Sequence, residues 1–173
     1  MFYYYLQKLF AVFKYLSPIK WGRKQRYMST KKQTLLRVKK LSESATLPTQ
    51  ANTGDVGFDL YSDAEVTINA GHVGKVPTGI AVGIPEGYWL KFEDRSGFFT
   101  NVQLKIGAGI IDNGYTGELI VCMLNATAMP VRIAKGESFA QAILHELIEA
   151  SVVEVYDLDA TARGDKGFGS SDK

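Results

Sequence analysis

The sequence predicts an all-β domain, a sandwich or a barrel, on three observations. From residue 34 onward, short apolar runs alternate with turn signals at close spacing. No stretch in that region sustains the helical period of about 3.6 residues. The chain has 173 residues, 46% of them apolar and 22% charged, which suits one domain with a real core.

The strands follow in order. Apolar, often β-branched runs mark 35–39, 65–68, 73–76, 79–83 and 88–92. Five more fall at 103–107, 118–124, 131–133, 139–144 and 151–155. Asn69-Ala70-Gly71, Pro85-Glu86-Gly87 and Lys135-Gly136 punctuate them. Asn113-Gly114 predicts a hairpin closed by a type I′ turn, because that pair supplies two positive-φ residues. Ile110 and Ile111 precede it and Leu119 to Val121 follow it.

Charge divides the chain in two. Residues 1–42 hold 11 of the 20 Lys and Arg residues and no acidic residue, while 43–173 hold 9 basic and all 18 acidic ones, 9 − 18 = −9. A domain that acidic is a poor surface for nucleic acid, and an anionic ligand must be met by a few local arginines. The first 28 residues are rich in aromatics, with Phe2, Leu6, Leu9, Phe10, Phe13 and Leu16 at a rough helical period. Three readings stand for them: a presequence, including a mitochondrial one, an interfacial amphipathic helix, or a dispensable extension with Met28 as the working start. Residues 1–33 are taken as an extension outside the folded core, with a β domain over 34–160. A transmembrane span is not expected, since Lys8 and Lys14 interrupt the apolar run.

Cys122 is the single cysteine, so no intramolecular disulfide forms, and an intracellular, reducing compartment (cytoplasm or nucleus) suits the chain. Set in an apolar run, Cys122 reads as a small buried hydrophobe rather than a nucleophile. His72 and His145 have no ligand-spaced neighbours, which argues against zinc but not against a hard cation held by oxygen atoms. The tail, 161–173, is rich in glycine and serine and is expected to be mobile when free. Arg163 and Phe168 within it oppose a purely solvated role. Glycine-rich backbone beside an arginine can wrap a phosphate chain closely.

Five segments then align in order: Gly57-Phe58-Asp59-Leu60-Tyr61-Ser62, Arg95-Ser96-Gly97, Gly107 to Gly117, Gly136-Glu137-Ser138-Phe139-Ala140-Gln141, and Arg163 to Ser171. Together they resemble the five motifs of the trimeric dUTPase family over roughly residues 35–171. The resemblance implies a jelly-roll-like fold with a flexible C-terminal arm. It also implies a homotrimer with active sites at subunit boundaries, each closed by another subunit's tail. The reaction implied is hydrolysis of dUTP to dUMP and pyrophosphate with Mg2+. It would keep uracil out of DNA and supply dUMP for dTMP synthesis.

Roles carry over residue by residue on that resemblance. Asp112 would be the general base that activates water against the α-phosphate. Asp59 would hold Mg2+ through a coordinated water, since a carboxylate beside a triphosphate needs a cation between them. Arg95, Ser96 and Gly97 would form a phosphate-binding turn, matched by the forked donors of arginine. Gly109 and Ile111 would present backbone to the uracil edge, and Tyr115 would exclude a ribose 2′-hydroxyl. Gln141 would approach the phosphates. From the tail, Arg163 would reach the γ-phosphate, Phe168 would stack on uracil, and Gly169 and Ser170 would complete the cradle. Bland readings stand beside these: an Asx turn for Asp59, a solvated surface turn for Arg95, cross-strand positions for Asp112, Tyr115 and Gln141.

Departures from the family pattern lie at Asp94, where proline is usual, at Ser138, where a basic residue is common, at Asp172, and across 98–102. Asp94 puts an acid beside a phosphate-binding arginine, an arrangement expected to weaken triphosphate affinity or reset the turn. Two rival functions share the fold. One is a deaminase acting on dCTP; the complete tail motif and Tyr115 argue for dUTP instead. The other is a catalytically silent nucleotide-binding protein, opposed by the presence of Asp112, Tyr115 and Arg163.

Overall fold

The computed structural model describes residues 34–167. The extension, 1–33, and the tail residues Phe168, Gly169, Ser170 and Asp172 lie outside the described residues. The elements are β1 (Arg37–Lys40), β2 (Gly57–Tyr61), β3 (Val66–Ile68), β4 (Val73–Gly83), β5 (Tyr88–Asp94), α1 (Ser96–Val102), β6 (Leu104–Gly107), β7 (Ile110–Ile111), β8 (Glu118–Asn125), β9 (Val131–Ile133) and β10 (Ser138–Glu146). A first sheet runs β1-β4-β8-β6, a second runs β2-β10-β5-β7, and β3 and β9 form a separate ribbon. All pairings are antiparallel. The all-β expectation holds.

The two four-stranded sheets share one core. On β8, Leu119, Val121 and Met123 are buried while Ile120 and Leu124 are exposed on the other face, the alternation that period-two pleating requires. Cys122 shares that outer face and is half-buried. Val76, Ile80 and Val82 of β4 meet Leu90 and Phe92 of β5 and Phe139, Ala140 and Ala142 of β10 in one cluster. Buried Asn125 ties the ribbon to the first sheet: its Nδ2 donates to Ile68 O and Met129 O, both at 2.8 Å. Its Oδ1 accepts from Thr127 N at 2.9 Å, so a polar side chain in the core is fully engaged.

Several expectations are corrected. The runs 73–76 and 79–83 are one strand, β4, whose register against β8 shifts between Pro77 and Ala81. A bulge there accommodates Pro77, which has no N–H to give a ladder, and Gly79 at φ +66°. Residues 57–61 form a strand that apolar content alone did not reveal, because Gly57, Asp59 and Tyr61 dilute it. Residues 96–102 form a short helix, capped by Gln103 in the left-handed region at φ 55°. Its sequence, rich in aromatic and β-branched residues, carries little helical signal. The run 151–155 pairs with nothing among the described residues, and Val152, Val153 and Val155 are exposed.

The turn at Asn113-Gly114 exists but is not type I′. Only Gly114 has positive φ, at 89°, and Tyr115 N donates to Asp112 O at 3.2 Å, which is the type II pattern. The strands beside it do not pair with each other. β7 joins β5 in the second sheet, whereas β8 joins β4 and β6 in the first. Asn113 Nδ2 donates to Pro85 O at 2.8 Å and Tyr88 O at 2.9 Å, so its side chain bolts this crossing to the β4–β5 turn.

Phe139 is fully buried between the sheets. Phe139→Ala is expected to lower unfolding stability by about 4 kcal/mol, measured by urea denaturation. A second prediction concerns Asp63, whose carboxylate accepts from Ser42 Oγ at 2.6 Å and Ser44 Oγ at 2.7 Å. The Ser42 bond first, then the Ser44 bond, hold its pKa below the usual 3.8. A depressed pKa contributes stability above the unfolded value, and that contribution is lost as pH falls through the folded one. Replacing both serines with alanine is expected to reduce the loss of stability below about pH 4, read by thermal unfolding across pH.

Candidate active site

One group of the residues singled out in the sequence meets in a cleft of about 350 Å³ at one end of the second sheet. Asp59 of β2 and Gln141 of β10 are direct cross-strand partners, so both project from the same, outward face. Arg95 follows β5 in extended backbone at the start of α1, and Ser96 and Gly97 form the first turn of that helix, exposed. Arg95 Nε donates to Asp59 Oδ1 at 2.8 Å and its Nη1 to Ser138 O at 2.9 Å. This fixes the guanidinium plane, while Nη2 has no protein partner among the described residues. Gln141 Nε2 donates to Asp94 O at 2.9 Å, which ties the middle of β10 to the end of β5.

Gly57 makes this packing feasible. A Cβ built on it would lie 2.1 Å from Gln141 Oε1. Gly57, Asp55, Val56 and Ile143 also line the cleft and were not singled out as site residues from the sequence. The signal for Gly57 was available, since a glycine inside a strand marks a close approach. Asp55 gave none, because a carboxylate after Asn52-Thr53-Gly54 reads as a turn residue, and it does accept from Asn52 N at 2.7 Å.

The oxygen ligands here suit a hard cation. Among the described residues no group of three or more His, Cys, Asp or Glu side chains forms a ready cation cage. Asp59 and Asp55 line the same cleft, and their carboxylate oxygens are donors of the kind a hard cation takes.

A second group lies elsewhere. Gly109 O accepts from Phe92 N at 2.8 Å, and a Cβ at Gly109 would come 2.8 Å from Phe92 O. Ile111 pairs with Leu90, and Asp112 follows it, exposed, at the outer edge of the second sheet. Tyr115 folds back so that its hydroxyl donates to Glu118 O at 3.0 Å. Gly117 permits this, since a Cβ there would meet the phenol oxygen at 2.5 Å. Arg95 is five positions beyond Leu90 along β5, a rise of about 17 Å at strand spacing. Asp112 and the Arg95 cleft of one chain are thus set apart along the strand. Arg163 is in neither group. It is exposed in a turn of its own, its Nε donating to Lys166 O at 3.2 Å.

Two departures gain a structural setting. The Asp94 side chain does not pair with Arg95; it forms an ion pair with Lys105 and accepts from Ile106 N at 2.9 Å. Ser138 Oγ is buried without a hydrogen-bond partner, at the irregularity in β10 where the backbone carbonyl serves Arg95. Gly57→Ala is expected to displace Gln141 and weaken substrate binding (KM) about ten-fold with little change in melting temperature, read by steady-state kinetics and thermal unfolding.

Comparison with known proteins converges on one family. The dUTPase family model matches residues 43–172. The deoxyuridine 5′-triphosphate nucleotidohydrolase of Oryza sativa subsp. japonica is 41% identical over 137 residues, 79% of this chain and 80% of that protein. Among solved structures, the Staphylococcus bacteriophage 80alpha dUTPase with dUPNHPP superimposes with a TM-score of 0.75 at 29% identity, over 80% of this chain and 99% of that one. A mutant dUTPase from phage phi11 of S. aureus, described with a structural Mg(II) ion, matches with a TM-score of 0.68 at 25% identity, over 73% and 100%. The chain belongs to the dUTPase family and is an enzyme that hydrolyses dUTP.

Proposed function

We propose that the chain converts dUTP and water to dUMP and pyrophosphate in sites that each draw on more than one copy of the chain. The observation that carries this is the separation of Asp112 from the Arg95 cleft. A general base acts within hydrogen-bond reach of the proton it takes, or through one water. Asp112 follows Ile111, whose partner Leu90 stands about 17 Å of strand rise from Arg95, so it is out of reach of a phosphate chain held by Arg95 of the same chain. A neighbouring copy that brings its Asp112 turn to this cleft resolves the conflict. A homotrimer with three shared sites fits this arrangement. Ile120, Leu124 and Val73 are exposed on the outer face of the first sheet, and 151–155 is an exposed apolar run with no partner among the described residues of its own chain. Both invite burial against another copy.

In this reading Arg95, Ser96 and Gln141 bind and orient the triphosphate. Asp59 would hold Mg2+, which when bound would offset charge on the phosphate oxygens. Asp112 takes a proton from the water that attacks the α-phosphorus, and pyrophosphate leaves with its charge met by Arg95 and by Arg163 of the tail. Gly109 and Ile111 read the uracil edge through backbone groups, so cytosine leaves polar groups unpaired. Tyr115, pinned over Gly117, blocks a 2′-hydroxyl. Phe168, Gly169 and Ser170 close over the nucleotide and exclude water. The reaction lowers dUTP, which keeps uracil out of DNA, and yields dUMP for dTMP synthesis.

Asp112→Asn is expected to lower kcat about 1000-fold while dUTP still binds. Mixing it, after dissociation and reassembly, with an equally inactive Arg95→Met chain tests the sharing. Mixed assemblies are expected to recover pyrophosphate release, because some sites then combine an intact Arg95 with an intact Asp112. No recovery, although mixed assemblies form, would place each site within one chain. Parallel assays with dCTP, dTTP and UTP are expected to show no release, and conversion of dCTP would instead favour the deaminase reading.

A further inference from the structure

We propose that Lys105 is a positioning and charge-balancing residue for the phosphate-binding turn, acting through Asp94. The inference rests on the reading that Arg95 binds the triphosphate. Asp94 is the last residue of β5 and the immediate neighbour of Arg95. Three contacts hold it. Its backbone carbonyl accepts from Gln141, its Oδ1 accepts from Ile106 N at 2.9 Å, and its Oδ2 pairs with Lys105 Nζ. Its side chain is only 15% exposed, whereas that of Lys105 is 59% exposed. The Ile106 N–H belongs to β6 of the first sheet, so the carboxylate also ties the two sheets together beside the turn.

This arrangement has an electrostatic consequence. The Ile106 bond is a second tether on the Asp94 carboxylate, made to the oxygen that Lys105 does not touch. Without Lys105 a fixed negative charge would stand next to the arginine that meets a highly charged anion. The Lys105 ammonium, charged at neutral pH as any lysine is, cancels it locally, and the Asp94 bond raises its pKa further. Lys105 Nζ also lies 5.8 Å from the Phe99 ring centroid on α1, the helix that Ser96 and Gly97 open. One cation thus spans the end of β5, β6 and α1, three pieces that frame the turn. An exposed ion pair adds little to stability. Its effect belongs to substrate affinity.

The test uses the assembled full-length enzyme and dUTP. Lys105→Met is expected to raise KM about five-fold at low salt with kcat within about two-fold, and the rise should shrink at high salt as the exposed charge is screened. Adding Asp94→Asn, which removes the charge but keeps an acceptor for Ile106 N, is expected to bring KM back toward the parent value. Lys105→Arg should keep KM at the parent value. If Lys105→Met leaves KM unchanged, or the double variant stays as weak as Lys105→Met alone, the proposal is wrong. Arg95→Gln in parallel separates the two levels. A large rise in KM there, with none for Lys105→Met, overturns only the role of Lys105. An unchanged KM for Arg95→Gln overturns the cleft reading, and this inference with it.

Discussion

The register of β10 is the constraint on which the rest of the molecule depends. It pairs with β2 on one side and β5 on the other. Phe139, Ala140 and Ala142 enter the core, while Gln141 faces outward between Asp59 and Glu93. Because successive side chains in a strand alternate faces, a slip by one residue would exchange these sets, placing Gln141 in the core and removing it from the cleft. The irregularity between Ser138 and Ala140 sets where alternation begins, and it leaves the Ser138 carbonyl free for Arg95. Core burial and site geometry are therefore one constraint.

Charge is managed pair by pair rather than by an overall field. The domain is acidic, yet the acids flanking the Arg95-Ser96-Gly97 turn are each engaged: Asp59 with Arg95, Asp94 with Lys105. The Asp59 bond orients the Arg95 guanidinium in advance, which in the proposed reading lowers the ordering cost of binding a phosphate. Glycines complete the arrangement sterically. Gly57 clears space for Gln141, and Gly117 lets Tyr115 lie against the backbone. Those glycines sit at close approaches, and for them the missing Cβ matters more than backbone freedom.

Much of the strand pattern was legible, because alternating Leu119, Val121 and Met123 or Leu90 and Phe92 record a buried face directly. Residues 57–61 were harder to read, since a strand whose outward positions are Gly57 and Asp59 shows only two strongly apolar residues. The helix from Ser96 to Val102 carried no periodic signal long enough to detect. Asn113-Gly114 marked a turn correctly, but local preference could not tell that the flanking strands go to different sheets. Strand pairing decides that, and the side chain of Asn113 holds the crossing through bonds to Pro85 and Tyr88, far away in the chain.

By itself the sequence determined the fold class, the family and the identity of the chemical groups, because periodicity and ordered motifs are local properties of the chain. Tertiary structure decided which of those groups meet. It joined Asp59, Arg95 and Gln141 through strand register, gave Asp94 a partner in Lys105 across the sheets, and set Asp112 beyond the Ile111–Leu90 pair, itself about 17 Å along β5 from Arg95. Distances between residues far apart in sequence follow from sheet order and register, and these emerge only when both faces of the sandwich are packed together.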